Sequence, residues 1–278
     1  MLIDEIFKLI ETDKVSGYDV VVGENSDGQK FYTTSNKSNT KHKLYIPDDL
    51  EHVGSDLSNC YGYNVLSRAI VLFRGNLEII GGRNLKTFGS IFSNSLLDSV
   101  DMTKCDISSM ESFARLFIES NIKEIKFGKL NSSKVNDMAN MFNGCKLDKL
   151  DISGLSMDSV VDISNMFSDA KVDEINIGSQ NTGNLVGMWW AFSGLNTKKL
   201  DLSGLNTCNL KVVHGAFYKS VIDELDLSNF NIENVYDDSD AFRLANIGTV
   251  RLKGCSVDTC SRIIRLLNDA NNVKEVII

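Results

Sequence analysis

Phenylalanine recurs every twenty-five residues along most of this chain. Seven phenylalanines keep this spacing without an insertion, and they are Phe92, Phe117, Phe142, Phe167, Phe192, Phe217 and Phe242. A second apolar column has the same period and consists of Val100, Ile125, Leu150, Ile175, Leu200, Leu225 and Val250. A repeat this regular predicts a stack of similar coils, because one such unit is too small to bury its apolar side alone.

Each unit contains two apolar patterns. The residue two places after the second column is also apolar, as in Leu150 and Ile152, and this alternation is typical of a short strand. A later set follows the spacing i, i+3, i+6, i+7 and consists of Val160, Ile163, Met166 and Phe167. That spacing predicts one face of a short helix. We therefore expect an α/β fold: a solenoid of about eight units over residues 75–278, with a parallel sheet on one wall and short helices on the other.

Small polar residues occupy fixed places in the predicted turns. One column, interpreted as the N-caps of the predicted helices, consists of Ser109, Ser159, Asn184, Asn209, Asn234 and Thr259. Another column follows the strand and consists of Asn131, Asn181, Asn206 and Asn231. We expect the amides of this second column to satisfy backbone groups in the turns of adjacent coils.

Residues 1–74 do not follow the repeat. A hairpin is predicted between Tyr18–Val22 and Lys30–Thr34, since residues 24–28 carry a strong turn signal. The first coil of a solenoid would otherwise expose its apolar face, so we interpret residues 1–74 as an N-terminal capping region. A small α+β module is the alternative. At the far end, Asn272–Ile278 is expected to add one more strand, displaced by a residue from the repeat phase.

Two units carry a resemblance to a known family. The units LDISGLSMDSVVDISNMF (150–167) and LDLSGLNTCNLKVVHGAF (200–217) resemble the BspA-type leucine-rich repeats, including the related twenty-five-residue repeats of mycoplasmas and Gram-positive bacteria. The strand motif, the Asn or Thr turn and the terminal Met-Phe or Ala-Phe recur in phase over about residues 75–278. Since members of that family are typically non-enzymatic surface or interaction proteins, the resemblance implies binding.

Charge and hydropathy argue against two kinds of partner. The formal net charge is −8, whereas binding a phosphate backbone needs clustered Lys and Arg, so no direct nucleic-acid partner is expected. No apolar run approaches the roughly 18 residues that a membrane span requires. Asp4 and Glu5 stand where a secretory signal carries positive charge. A cytoplasmic location is therefore expected, with the cell surface as the alternative if a signal has been removed.

The sequence shows no motif of an enzyme or of a metal centre. It has three histidines and no HExxH, GxSxG, P-loop or Rossmann fingerprint. Its six cysteines lack the paired spacing of zinc ligands, and the acidic run Asp237, Asp238 and Asp240 lacks the spacing of a calcium loop. We therefore expect a protein that is not an enzyme and that needs neither a metal nor another cofactor.

Trp189 and Trp190 are the largest departures from the repeat. Equivalent positions elsewhere hold small or polar residues, such as Ala139 and Asn140. Gly215 on the next coil leaves room for Trp190, whereas nothing comparable accounts for Trp189. We interpret Trp189, Trp190 and His214 as a partner-binding site in which Trp189 is the exposed aromatic anchor. Packing within the solenoid is the alternative interpretation.

A second candidate site lies on the solvent face of the predicted sheet. Its acidic residues are Glu174, Asp201, Glu224 and Asp226. One interpretation is a solvated face on which opposite charges of neighbouring strands pair, and the other is a docking surface for a basic partner.

Together these patterns favour a non-catalytic scaffold that binds another protein through an extended solenoid surface. For the acidic face, the expected partner is a basic or nucleic-acid-binding protein. There are two alternatives. One is a phage- or mobile-element-encoded inhibitor that covers a host enzyme, such as a defence enzyme, with an acidic surface. The other is an exported bacterial surface adhesin.

Overall fold

The computed structural model describes residues 10–12, 21–24, 30–33, 41–46, 74–128 and 130–278. Most of the predicted capping region, residues 1–74, lies outside these segments, so its division from the repeats stays a prediction. The strands of the described residues, numbered in chain order, are β1 Ile10–Thr12, β2 Val21–Glu24, β3 Lys30–Thr33, β4 Lys41–Ile46, β5 Asn76–Gly81, β6 Ser99–Cys105, β7 Glu124–Lys126, β8 Lys146–Asp151, β9 Lys171–Asn176, β10 Asn196–Asp201, β11 Val221–Asp226, β12 Asn246–Arg251 and β13 Asn272–Ile277.

Strands β8 to β13 form a six-stranded parallel sheet in chain order. Equivalent residues of successive repeats stand side by side in it, with Leu200 beside Leu225 and Leu225 beside Val250. At the last strand the pairing slips by one residue, so that Val250 stands beside Val276. The parallel sheet and the displaced final strand are thus confirmed.

Strands β4 to β7 form a second parallel run, and β1 is added antiparallel at its outer edge. β4 therefore adds a strand before the first repeat. The predicted hairpin is present as β2 paired antiparallel with β3. Within the described residues β7 and β8 belong to different sheets. We call this interruption the seam.

The repeating phenylalanines form one stack through the core. Their side chains are at most 3% exposed. Successive rings lie 4.9 to 5.6 Å apart between centroids and are nearly parallel, with interplanar angles of 2° to 15°. Stacked rings at this distance add to the free energy gained by burying their apolar area. The twenty-five-residue period therefore places each ring on the ring of the next coil.

In the last coil the predicted short helix is present, whereas the segments predicted as helices in seven earlier coils are turns instead. They form a second wall, which we call the turn wall, at residues 87–95, 112–120, 137–145, 162–170, 187–195, 212–220 and 237–245. Alternate N–H groups donate to the next coil, as from Asn165 to the carbonyl of Trp189 at 2.8 Å. The N–H groups between them close turns within the coil, as from Ser168 to the carbonyl of Asn165 at 3.1 Å.

An α-helix needs each N–H to bond the carbonyl four residues earlier. On the turn wall many N–H groups donate instead to carbonyls of the next coil, so the bonds that define an α-helix do not form. Left-handed residues such as Asn165, at φ 54°, and Asp169, at φ 55°, also stop any helix. The inward positions nevertheless match the helical spacing, since Val160, Ile163 and Phe167 are all buried. That is why the sequence pattern suggested helices.

The polar column predicted as N-caps bonds between coils. Asn184 Nδ2 donates to the carbonyl of Asp158 at 2.7 Å, and Asn209 Nδ2 donates to that of Gly183 at 2.6 Å. Each amide thus satisfies a backbone carbonyl of the preceding coil. On the turn wall there is no helix for this column to cap, and its last member, Thr259, lies inside the helix Val257–Leu266, whose N-cap is Ser256.

One α-helix is present in the described residues, α1 at Val257–Leu266, followed by a 3₁₀ turn at Leu267–Asp269. Its N–H groups bond within the helix, as from Cys260 to the carbonyl of Ser256 at 2.9 Å. Its N-cap is Ser256, whose hydroxyl accepts the N–H of Thr259 at 3.1 Å. The described part of the chain contains no helix with the length and apolar character that crossing a membrane requires.

Arg262 of α1 fastens the helix to the last coil. Its Nε donates to Asp238 Oδ2 at 2.7 Å, and its other nitrogens donate to the carbonyls of Ile232 at 2.9 Å and Val235 at 2.8 Å. Asp238 occupies a place that is apolar in earlier coils, such as Met138. The acidic run of this coil is therefore explained in part by the helix that packs on it.

Truncating one ring of the stack tests the architecture. Phe167 is 1% exposed and stacks on rings at 5.4 and 5.6 Å, so Phe167→Ala should lower the free energy of unfolding by about 3–5 kcal/mol. Val221 is 42% exposed on β11, so Val221→Ala should cost less than about 1 kcal/mol. Urea unfolding of the two variants measures both values. Similar small losses at both sites would contradict the stacked core.

A second substitution tests the helix contact. Arg262→Met removes three hydrogen bonds and leaves Asp238, 21% exposed, without its main partner, so it should cost about 2–3 kcal/mol. Arg265→Met is the matched control on the same helix, because Arg265 is 70% exposed and 3.9 Å from Asp238. Its cost should stay below about 0.5 kcal/mol. Equal unfolding free energies for the two variants would rule out the fastening role.

Candidate protein-binding surface on the turn wall

The structure places the sequence-predicted site residues on two walls. Trp189, Trp190 and His214 lie in the turn wall, on two successive coils. The acidic group lies on β9, β10 and β11 and consists of Glu174, Asp201, Glu224 and Asp226. Ring contacts bring the first group together, whereas each acidic residue is engaged by a local neighbour.

The two glutamates of the sheet stand next to basic residues. Glu174 pairs with Lys149 at 2.7 Å and is in register with Lys199 on its other side. Lys199 is in turn in register with Glu224, and Arg251 approaches Glu224 at 4.0 Å. Opposite charges side by side on a sheet stabilise it weakly. The charge of this column therefore alternates along the solenoid rather than forming a continuous acidic surface.

Asp201 and Asp226 end their strands and close the turns that follow. One carboxylate oxygen of Asp201 accepts the N–H of Ser203 at 3.0 Å and its hydroxyl at 2.6 Å. Asp226 accepts the N–H of Ser228 at 2.8 Å in the same way. A side-chain oxygen that satisfies the backbone two residues later stabilises a turn. These two aspartates therefore have a structural role.

Aromatic rings from two coils contact each other on the turn wall. The Trp190 ring meets His214 edge to face at 5.2 Å between centroids and Tyr218 at 5.1 Å. Trp189 lies 6.1 Å from His214, and 49% of it is exposed. We call these four residues the aromatic cluster. In this cluster the Trp190 ring packs against the wall, whereas the Trp189 ring is half exposed.

Trp190 adopts an unusual backbone conformation for its size. Its φ is 55°, in the left-handed region, where equivalent positions carry Asn140, Asn165 and Gly215. A left-handed backbone costs a side chain of this kind roughly 1–2 kcal/mol. The predicted room at Gly215 is present, since a Cβ added there would lie 2.7 Å from Cε3 of Trp190. The ring thus lies directly against the glycine of the next coil.

The coils of the cluster also lack a turn-closing side-chain oxygen. In the other coils a side-chain oxygen accepts the N–H two residues later. It belongs to an aspartate in three of them, as Asp162 accepts from Ser164 at 2.7 Å, and to Thr87 or Ser112 in the other two. Gly187 and Val212 occupy that column in the two cluster coils. The aromatic residues thus appear where the repeat gives up its own stabilising contact.

His214 is linked to the coil that follows it. Its Nδ1 lies 2.8 Å from Ser239 Oγ and 3.5 Å from Asp237 Oδ1. The Ser239 hydroxyl donates to the same carboxylate oxygen of Asp237. Hydrogen bonds from Ser239 hold the pKa of Asp237 below its usual range, and the nearby His214 adds to this effect. Among the described residues, no three His, Cys, Asp or Glu side chains are grouped so that they could hold a metal ion.

Three residues of this surface were not singled out from the sequence. Tyr218 completes the cluster, Tyr236 is 77% exposed on the following coil, and Asp162 closes the turn on the preceding one. Column comparison holds the missing signal: Tyr218 stands where other coils have Asn143 or Ser168. An aromatic residue occurs in this column only at Tyr218 among the seven turn-wall coils, and it marks the same two-coil stretch as the tryptophans.

One family model matches most of the repeat region. Its description is "Mycoplasma protein of unknown function, DUF285", and it matches residues 86–203, 145–255 and 173–276. The overlapping matches extend over more than half of the chain. The chain belongs to this family. The aromatic cluster lies inside the matched region, so it is carried by family repeats. No curated protein and no solved structure matched the chain.

Gly215→Ala tests the packing of Trp190. The new Cβ would press on the indole and would have to adopt φ 58°, so we expect a loss of about 1–3 kcal/mol in unfolding free energy. Gly183→Ala is the matched control in the coil before it, since its Cβ would meet nothing closer than 3.4 Å. Tryptophan emission should shift in the first variant and not in the second. Unchanged emission in both would show that Trp190 does not rest on Gly215.

Proposed function

We propose that this protein is a non-catalytic interaction scaffold that binds another protein through the aromatic cluster of its turn wall. One observation carries the proposal: two adjacent coils break the rules of their own repeat at the same place. They lack the side-chain oxygen that closes the turn in the other coils, carry a tryptophan, Trp190, at the left-handed position and leave Trp189 half exposed. Such departures lower the stability of the fold and bring no structural advantage. Residues of this kind are therefore expected where the protein has a functional site.

The geometry suits a binding hot spot. The carbonyl of Trp189 accepts the N–H of Asn165 on the preceding coil at 2.8 Å. The N–H of the adjacent Trp190 donates to the carbonyl of His214 on the next coil at 2.9 Å. A ring on a rigid support loses little conformational entropy when a partner covers it. Tryptophans in such positions supply an outsized share of the free energy of binding.

The chemistry of the nucleophilic side chains supports a non-catalytic role. Burial raises the pKa of the Cys105 thiol to about 12 and that of Cys145 to about 11, so both remain protonated and unreactive at neutral pH. His214 lies beside Ser239, but the Ser239 hydroxyl is directed at Asp237. A nucleophilic serine would instead need its proton to be taken by the histidine.

The resemblance to BspA-type repeats supports the same proposal, because that family is typically made of interaction proteins. There are two alternative functions. A host-enzyme inhibitor was expected to bind through the acidic sheet face, whereas no contact surface was specified for a surface adhesin. The local pairing of Glu174 with Lys149 and the turn-closing role of Asp201 favour the turn wall as the contact surface.

Affinity purification from the native host with matched variants tests the proposal. A partner that uses the cluster should be retained by the wild-type chain and lost with Trp189→Ala, whose affinity should fall about thirtyfold, equivalent to about 2 kcal/mol. Surface plasmon resonance with the recovered partner measures this change.

The sheet face supplies the control. Asp201→Asn with Asp226→Asn removes two negative charges and keeps an oxygen that closes each turn, so binding should change less than about twofold. A partner that binds Trp189→Ala as tightly as the wild type, yet loses the Asp201→Asn, Asp226→Asn variant, would move the site to the sheet face.

A further inference from the structure

We infer that Asp162, Gly187 and Trp189 form a slot for a lysine or arginine side chain of a protein partner. This inference rests on the proposed function and names the chemistry that the partner presents to the cluster. Gly187 pairs with Asp162 on the preceding coil and with Val212 on the next, which makes it the floor of the slot. The side chain missing at Gly187 leaves the space that the partner would fill.

The space beside Gly187 opens on a carboxylate. A Cβ added at Gly187 would lie 3.1 Å from Asp162 Oδ1 and 4.0 Å from Oδ2, and its three nearest atoms all belong to that carboxyl group. Equivalent positions elsewhere carry the side chains of Ser112, Asp137 and Val212, which would occupy this space. Within the described coils, Gly187 thus leaves one side of the Asp162 carboxylate uncovered next to the aromatic cluster.

Two apolar residues lie near the slot, one along the same segment and one on the next coil. Trp189 follows Gly187 by two residues and is exposed, while Met188 between them is fully buried, so the indole and the slot share the outer face. Val212 is paired with Gly187 from the next coil. A basic side chain matches these neighbours, because its aliphatic stem can lie along apolar groups while its charged end meets the carboxylate and the ring face.

The carboxylate of Asp162 has acceptor capacity left for such a cation. Its Oδ1 accepts the N–H of Ser164 at 2.7 Å and the hydroxyl at 2.5 Å, and Oδ2 has no hydrogen bond or ion pair to another described residue. By contrast, Oδ2 of Asp137 accepts the hydroxyl of Ser112 at 3.3 Å, and Asp237 faces His214. Asp162 is thus the aspartate of this column that can accept a charged donor from outside.

The same groups disfavour other ligands. A phosphate of a nucleic acid would meet the carboxylate of Asp162 and a chain whose net charge is −8. An uncharged apolar side chain would leave that carboxylate desolvated without a partner, which costs free energy. A cation avoids both penalties, so the slot selects for charge as well as for shape.

Tryptophan fluorescence reports on this site alone, because the chain has two tryptophans and both belong to the cluster. The probes are blocked tetra-arginine and tetra-lysine peptides, with blocked tetra-citrulline as the uncharged isostere of arginine. At low ionic strength the basic peptides should change the emission with saturation, and tetra-citrulline should not. Equal responses to the arginine and citrulline peptides would overturn the slot.

Two pairs of variants locate the effect. Asp162→Asn keeps an oxygen that closes the turn and should raise the dissociation constant of the basic peptides about fivefold. Asp137→Asn removes the same charge one coil away and should leave it unchanged within about twofold. Gly187→Ala, which fills the slot, should also weaken binding, whereas Gly183→Ala should not. Indistinguishable constants for Asp162→Asn and Asp137→Asn would overturn the slot.

The two proposals can fail separately. A partner recovered through Trp189 that binds Asp162→Asn as tightly as the wild type would overturn the slot and leave the scaffold proposal intact. A partner whose binding depends on neither residue would overturn the cluster as the binding surface.

Discussion

Backbone hydrogen bonds between successive coils are the interaction on which the rest of this structure depends. They join equivalent residues twenty-five positions apart in the sheet, and they continue through the turn wall, where every second N–H reaches the next coil. Because a coil leaves so many polar groups for its neighbour to satisfy, it is stable only within the stack. The phenylalanine stack follows from this constraint, since hydrogen bonding at a fixed period places Phe142 on Phe167.

The sequence predicted those parts of the fold that depend on period and burial. Columns such as Leu200 and Leu225 gave the parallel sheet and its register, and the displaced strand at Asn272–Ile277 was visible from the same count. The short helices predicted for seven coils were wrong because apolar spacing reports which residues face inward and not where the N–H groups bond. The helix predicted for the last coil is present as α1. Left-handed positions at Asn165 and Asp169 could be recognised only afterwards, since asparagine and aspartate are also common in ordinary turns.

Prediction of the candidate site was uneven for a related reason. An outlier such as Trp189 is visible in a column comparison, and so is the glycine that accommodates Trp190. A column comparison does not show which residues of different columns are in contact. Tyr218 contacts Trp190, and Arg262 contacts Asp238, because the path of the turns brings these side chains together. The acidic residues of the sheet were visible, but the turn-closing role of Asp201 became apparent only when Ser203 was placed beside it.

At the seam between β7 and β8 the two walls of the solenoid differ in continuity. The sheet is interrupted there, while the turn wall continues across it through the pairing of Ser112 with Asp137, and the rings of Phe117 and Phe142 remain stacked at 5.6 Å. Bending of the array would therefore open the sheet side first, with the turn wall as the hinge. The aromatic cluster lies wholly on the block that follows this hinge, so such a motion would reorient the cluster without changing its internal geometry.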